Sequence, residues 1–167
     1  MCMRLVPFFI ALIPFVVHPA SADPGHLSGK KKGSYDGHAA ALGEPIPAQS
    51  RSARTIEITL TDDMRFRPGQ ITVMRGQTVK FVLKNLGQTK HEFVLGTEEE
   101  LVKHAAEMEK FPEMEHDDPN QVTVEPGKSA TLYWKFTKVG TWNIGYGCLI
   151  PGHFSAGMKG KIVVHGS

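Results

Sequence analysis

Four side chains in this sequence have the types and spacing to hold one soft metal ion. Cys148, His153 and Met158 place a thiol, an imidazole and a thioether in a single loop, with four residues between Cys148 and His153 and four more before Met158. A second imidazole, His91, lies far upstream at the start of another apolar stretch. Two His and one Cys in a trigonal arrangement, with a long weak bond to Met, make a blue-copper site. Thiolate and thioether are soft and hold Cu(I), and imidazole tolerates both oxidation states. Pro151, Gly152 and Gly157 give the loop the tight turns that bring three donors to one point. Taken singly, each donor has a plainer reading: His91 as an ordinary polar residue, Cys148 as a small buried hydrophobe, Met158 as core filler. The combination, in one Gly/Pro turn between two strands, predicts a metal site.

The elements that must position these donors are strands. From Thr55 the apolar pattern has period two: Ile56, Ile58 and Leu60, then Ile71 and Val73, then Val79, Phe81 and Leu83. Phe93 and Leu95 follow His91. Later come Val122 and Val124, Leu132 with Trp134 and Phe136, Trp142 with Ile144 and Tyr146, and Ile162 with Val164. Turn signals such as Pro68-Gly69, Arg75-Gly76, Pro126-Gly127 and Val139-Gly140 separate them. Many short strands with frequent turns predict an all-β fold, an antiparallel sandwich or barrel. One segment breaks the rhythm. Thr97 and Glu100 form a capping box, and Leu101, Ala105 and Met108 recur at helical spacing. A helix is predicted from there to about Lys110, where Phe111 and Pro112 stop it.

With these residues in view, residues from Ile56 to Val164 resemble the cupredoxin family. Ile71, Val73 and Gly76, then Val79, Phe81 and Asn85, then His91 and Phe93 are similar to the N-terminal half of that fold. Gly140, Trp142, Cys148, His153, Gly157, Met158 and Gly160 are similar to its closing half. The ligand-loop spacing resembles that of rusticyanin. The resemblance implies an eight-stranded Greek-key β-sandwich, here with one short helical insert, and one mononuclear type 1 copper, Cu(I)/Cu(II), on His91, Cys148, His153 and Met158. One departure stands out: azurin has Asn after its first His ligand, and this chain has Glu92.

The rest of the chain sets the context. Arg4 precedes an apolar run from Leu5 to Val17, and Ala20-Ser21-Ala22 supplies a cleavage pattern, so residues 1–22 read as a signal peptide. A retained anchor is the alternative, but Pro7 and Pro14 interrupt a run that is short for a bilayer. Cleavage removes Cys2 and leaves Cys148 as a lone thiol in an oxidising compartment, a liability unless a metal occupies it or burial protects it. The expected location is the periplasm, with no membrane attachment after cleavage. Residues 23–54 are rich in Gly and Pro and poor in large apolar residues, and read as a flexible tail; the domain is expected over 55–167. A net charge of +2 gives no basis for binding nucleic acid. The Lys30 to Lys32 run reads as a solvated linker.

A weaker cluster comprises His104, Met108, Met114 and His116, among Glu107, Glu109, Glu113, Glu115 and Asp117. Thioether and imidazole suit Cu(I), giving a candidate accessory copper site; the plainer reading makes Met108 part of the helix's apolar face and the acids a solvated surface. His26 and His38 in the tail are further candidates for Cu(II). Signal, domain and Met/His helix together resemble periplasmic copper-tolerance cupredoxins. A soluble electron shuttle is the alternative, with His153, Ile150, Pro151 and Phe154 forming a docking face for a redox partner protein. No enzyme is expected, because a multicopper oxidase needs paired histidines and no His-x-His occurs.

Overall fold

The computed structural model describes residues 42–47, 52–114, 118–137 and 143–166. The strands are β1 (Glu44–Pro45), β2 (Arg54–Thr61), β3 (Arg65–Arg67), β4 (Gln70–Met74), β5 (Thr78–Asn85), β6 (His91–Thr97), β7 (Gln121–Val124), β8 (Ser129–Lys135), β9 (Ile144–Gly147) and β10 (Lys159–His165), and the helix is α1 (Glu98–Lys110). They form two five-stranded sheets, ordered β1-β8-β5-β2-β3 and β4-β10-β9-β6-β7. The chain passes repeatedly from one sheet to the other, which gives a Greek-key β-sandwich with one short helix.

The alternation in the sequence is the alternation of burial. Ile56, Ile58 and Leu60 of β2 and Val79, Phe81 and Leu83 of β5 face inward, against Ile71 and Val73 of β4 and Phe93 and Leu95 of β6. Each such side chain contributes about 1.5–3 kcal/mol when fully buried. Trp142, expected on the strand before Cys148, lies outside the described residues, and β9 begins at Ile144.

Two features differ from the expectation of an antiparallel fold with eight strands. Each sheet contains one parallel pair, β2 with β5 and β4 with β10. After β2 the chain makes β3, crosses to β4 in the other sheet and returns as β5, so β2 and β5 run in the same direction. Period-two alternation carries no information on strand direction. The extra strands β1 and β3 have two and three residues, too few to show a period.

The stretch read as a tail also contains part of the fold. Leu42 is buried in the core, and Glu44 and Pro45 pair with Lys135 and Trp134 of β8. Gly43 makes this approach possible: its φ is +143°, and a Cβ there would overlap the Lys135 carbonyl.

Helix α1 begins as expected. Thr97 accepts from the Glu100 amide at 3.2 Å, and the Glu100 carboxylate accepts from the Thr97 amide at 2.7 Å. Leu101 and Met108 turn inward and pack with Val94 and Leu149 in a second, smaller core, flanked by Ala105 and Phe154. No helix among the described residues is long and apolar enough to cross a membrane.

An aromatic cluster lies in the middle of the sandwich. Phe66 meets Tyr146 edge-on at 5.2 Å, and Phe93 stacks on Tyr146 at 5.1 Å. The Tyr146 hydroxyl donates to the Pro68 carbonyl at 2.7 Å, and burial raises its pKa. Gly160 of β10 pairs with Tyr146, and a Cβ on Gly160 would penetrate the tyrosine ring. The Gly160→Ala variant is therefore expected to lose about 1–3 kcal/mol, the usual cost of overpacking. A lower urea midpoint at unchanged slope is the readout; an unchanged midpoint would mean that β10 shifts freely.

Candidate metal centre

Three donors converge at one end of the sandwich. His91 opens β6, Cys148 directly follows β9, and these two strands are antiparallel neighbours. The pairing puts Cys148 beside the start of β6, and the Glu92 amide donates to its Sγ at 3.3 Å. The loop after Cys148 folds back and brings His153 Nδ1 to 3.3 Å from the same sulfur. The rings of His91 and His153 lie 5.2 Å apart. One donor atom from each of His91, Cys148 and His153 falls within 4.8 Å of the others.

Hydrogen bonds within the ligand loop set its shape. The His153 amide donates to the Ile150 carbonyl at 3.0 Å, Ala156 to Gly152 at 3.0 Å, and Met158 to His153 at 3.0 Å. The Cys148 amide closes the loop on the Met158 carbonyl at 3.1 Å. Gly152 and Gly157, at φ +83° and +99°, take conformations that a side chain would strain. Met158 is fully buried in the main core, with Cys148 and Tyr146 in the same cluster.

Two other elements hold this loop from outside. The Arg65 guanidinium donates to the Ala156 carbonyl at 2.8 Å and lies against Gly157. From α1, the Glu109 carboxylate accepts from the Gly152 amide at 2.7 Å. Phe154 meanwhile packs towards the helix core and closely over Gly147. These contacts hold the loop that carries Cys148, His153 and Met158.

The donor set suits a soft cation. His91 is fully buried, and its Nδ1 has no hydrogen-bond partner. An unpartnered buried ring nitrogen costs about 1–3 kcal/mol, and a metal bond would recover it. Its Nε2 lies 3.3 Å from Asp62 Oδ1 and 3.3 Å from Thr89 Oγ1. Burial pushes the Cys148 thiol up to about 12, an effect that the Glu92 and Ile150 amides reduce but do not reverse. Burial and the neighbouring His91 lower the His153 pKa, so its ring tends to be neutral.

A pH dependence follows. With the thiol protonated below about 12 in the metal-free protein, uptake of a metal as its thiolate must release that proton. Affinity should therefore rise about tenfold per pH unit between about pH 6 and 8. Titration with copper in weakly buffered solution should show one proton released per ion; release of none would mean that the sulfur is not a ligand.

Of the four main residues expected from the sequence, the structure brings His91, Cys148 and His153 together and buries Met158, whose main chain bonds to those of Cys148 and His153. The weaker cluster fares differently. Met108 is 5% exposed inside the small core, whereas Met114 is 45% exposed beyond the helix. His104 is half-buried on α1, and His116 lies outside the described residues, as do residues 1–22, read from the sequence as a signal peptide, and His26 and His38. Asp62, Arg65 and Thr89 have no mark in the sequence, and Glu109 stands there only among the acids of the weaker cluster, not as a residue that holds the ligand loop. Asp62 and Asp63 look like ordinary turn residues there, and only the fold shows that one of them faces a histidine.

A sandwich of two sheets with a thiol and two imidazoles gathered at its end has the donor set of a mononuclear copper protein. The chain belongs to the plastocyanin/azurin family of copper-binding proteins, the cupredoxins, whose family model matches residues 54–165. It is 44% identical to the copper-resistant cuproprotein CopI of Rubrivivax gelatinosus over 96% of both chains. It is 38% identical to the protein of the same name from Pseudomonas aeruginosa, over 84% of this chain and 91% of that one. The reduced auracyanin of Roseiflexus castenholzii shares the fold: TM-score 0.57 and 24% identity, over 68% of this chain and 98% of that one.

Proposed function

We propose that this chain is a periplasmic copper-tolerance protein that holds one copper ion on His91, Cys148, His153 and Met158. The observation that carries the copper site is the convergence of a buried thiol and two imidazoles on one point. The tolerance role is supported by relatives called copper-resistant that align along nearly the whole chain. Copper held there supplies one-electron chemistry between Cu(I) and Cu(II). The residues contribute a fixed, water-poor set of soft and intermediate donors. His91 and Cys148 are fully buried, while His153 is partly exposed, so exchange of an electron or an ion has its shortest route past His153.

That partial exposure favours a second reading, an electron shuttle. Ile150, Pro151 and Phe154 are half-buried around the His153 edge, and Leu86 is 65% exposed; a redox partner could dock on apolar surface of this kind. Met108 packs in the small core and Met114 lies exposed beyond the helix, so the Met/His cluster favours neither role. Changing Met108 and Met114 to Leu is expected to leave the copper stoichiometry at one.

Deleting the gene separates the two roles. Growth should fail at copper concentrations that the parent tolerates, and the wild-type chain, not Cys148→Ser, should restore it. A deletion strain that grows normally in excess copper but respires poorly would replace tolerance by electron transfer.

A further inference from the structure

The residue that controls His91 lies on a different element. We propose that Asp62, in the turn between β2 and β3, is a positioning residue for the metal centre: it fixes which nitrogen of His91 is free to bind copper, and its charge favours Cu(II) over Cu(I). The proposal rests on His91 being a copper ligand.

The tautomer follows from counting hydrogens. A carboxylate only accepts hydrogen bonds. The Thr89 hydroxyl donates its single hydrogen to Asp62 Oδ1 at 2.8 Å, so its oxygen can only accept from His91. Both groups at 3.3 Å from His91 Nε2 are therefore acceptors, and Nε2 must carry the ring proton. Nδ1 then keeps its lone pair, buried and without a hydrogen-bond partner. The opposite tautomer would bury an unpaired N–H and turn a nitrogen lone pair towards a carboxylate, both unfavourable.

Asp62 is itself fixed. Besides the Thr89 hydroxyl, it accepts from the Gln88 amide at 2.7 Å and the Thr89 amide at 3.3 Å. These groups lie on the loop that leads into His91. Gly87 leaves room for it, since a Cβ there would overlap the carboxylate. Arg65, which opens β3 directly after this turn, holds the loop of His153 and Met158. The turn and the first residue of β3 thus secure both halves of the site. A histidine ligand whose other ring nitrogen donates to a carboxylate becomes more basic, and a negative charge behind the ring stabilises the more highly charged ion.

The test uses Asp62→Asn, Asp62→Ala and Gly87→Ala in the full mature chain. Nitrogen NMR of the metal-free wild type should show His91 as the Nε2–H tautomer, and Asp62→Ala should populate Nδ1–H. Asp62→Asn keeps the size and removes the charge. It should lower Cu(II) affinity relative to Cu(I) about tenfold, raising the reduction potential by about 59 mV for one electron. Asp62→Ala should weaken copper binding about 10–100-fold, and Gly87→Ala, which displaces the carboxylate, should shift the potential in the same direction as Asp62→Asn. If the wild type binds copper but Asp62→Asn leaves its potential unchanged, the proposal is overturned, whether or not Asp62→Ala folds. A wild type that takes up no copper through Cys148 would instead overturn the reading of the site, while the metal-free tautomer would still test the Asp62–His91 contact.

Discussion

Replacing Cys148 by Ser is expected to abolish the intense visible absorption of the copper-loaded protein and to weaken Cu(I) binding by more than about a hundredfold. The absorption of a blue-copper site comes from its thiolate, and a hydroxyl cannot replace that ligand. The affinity bound comes from comparison: loss of a hydrogen bond to a ligand typically costs about 10–100-fold, and loss of the ligand itself costs more. Cys148 is fully buried at the junction of β9 and the ligand loop, where the Glu92 amide and His153 both meet its sulfur. A serine there faces the same neighbours, so the loop keeps its shape while the soft donor is lost. Competition against a Cu(I) chelator of known affinity measures the change. The melting curve of the metal-free variant shows whether the fold is intact. Copper binding of undiminished strength in a folded Cys148→Ser protein would remove this sulfur from the site.

Removing copper should lower the melting temperature by about 10–20 °C. A ligand at a thousand times its Kd stabilises the folded state by about 4 kcal/mol, and each kcal/mol shifts the midpoint of a domain this size by several degrees. The metal-free site explains why the folded state should gain so much. His91 Nδ1 is buried without a partner, and the thiol is held neutral in a place that excludes water. Unfolding exposes these groups to water but scatters the donors, so only the folded chain offers them together. Calorimetry with and without a chelator measures the shift, and Cys148→Ser should show little of it. Equal midpoints for the loaded and stripped protein would mean that the ion sits at a loosely attached surface group.

How much of this was legible in the sequence depends on the range of the signal. The strands were legible because alternation is local: Val79, Phe81 and Leu83 announce their buried face without knowledge of the partner strand. The helix was legible because Thr97 and Glu100 satisfy each other within one turn. Cys148, His153 and Met158 were legible because one short loop carries all three. His91 was a weaker signal, a single imidazole far upstream at the start of another apolar stretch, with nothing beside it that marks a ligand. The parallel pairs were hidden because strand direction depends on crossings between sheets.

Asp62 was hidden for a related reason. Its partners, Gln88, Thr89 and His91, lie on a distant loop, and an aspartate in a turn looks the same whether it faces water or a histidine. The Gln88 amide, the Thr89 hydroxyl and amide, and the His91 ring hold its carboxyl down at about 2, a consequence of the fold alone. Leu42 is inconspicuous in the sequence because it stands in a stretch rich in Gly and Pro, although a single large apolar side chain is enough to join a core when Gly43 lets the chain approach β8. Met108 fits both an apolar helix face and a copper-binding pair by its spacing, and the fold packs it beside Leu149.

The central claim is that donors from two distant stretches of chain meet on one copper ion. Crystals of the copper-loaded protein, measured on both sides of the copper absorption edge, test it most directly. One anomalous peak per chain is expected, within bonding distance of His91, Cys148 and His153 and beside Met158. A peak elsewhere, or copper in solution with no peak between these residues, would contradict it.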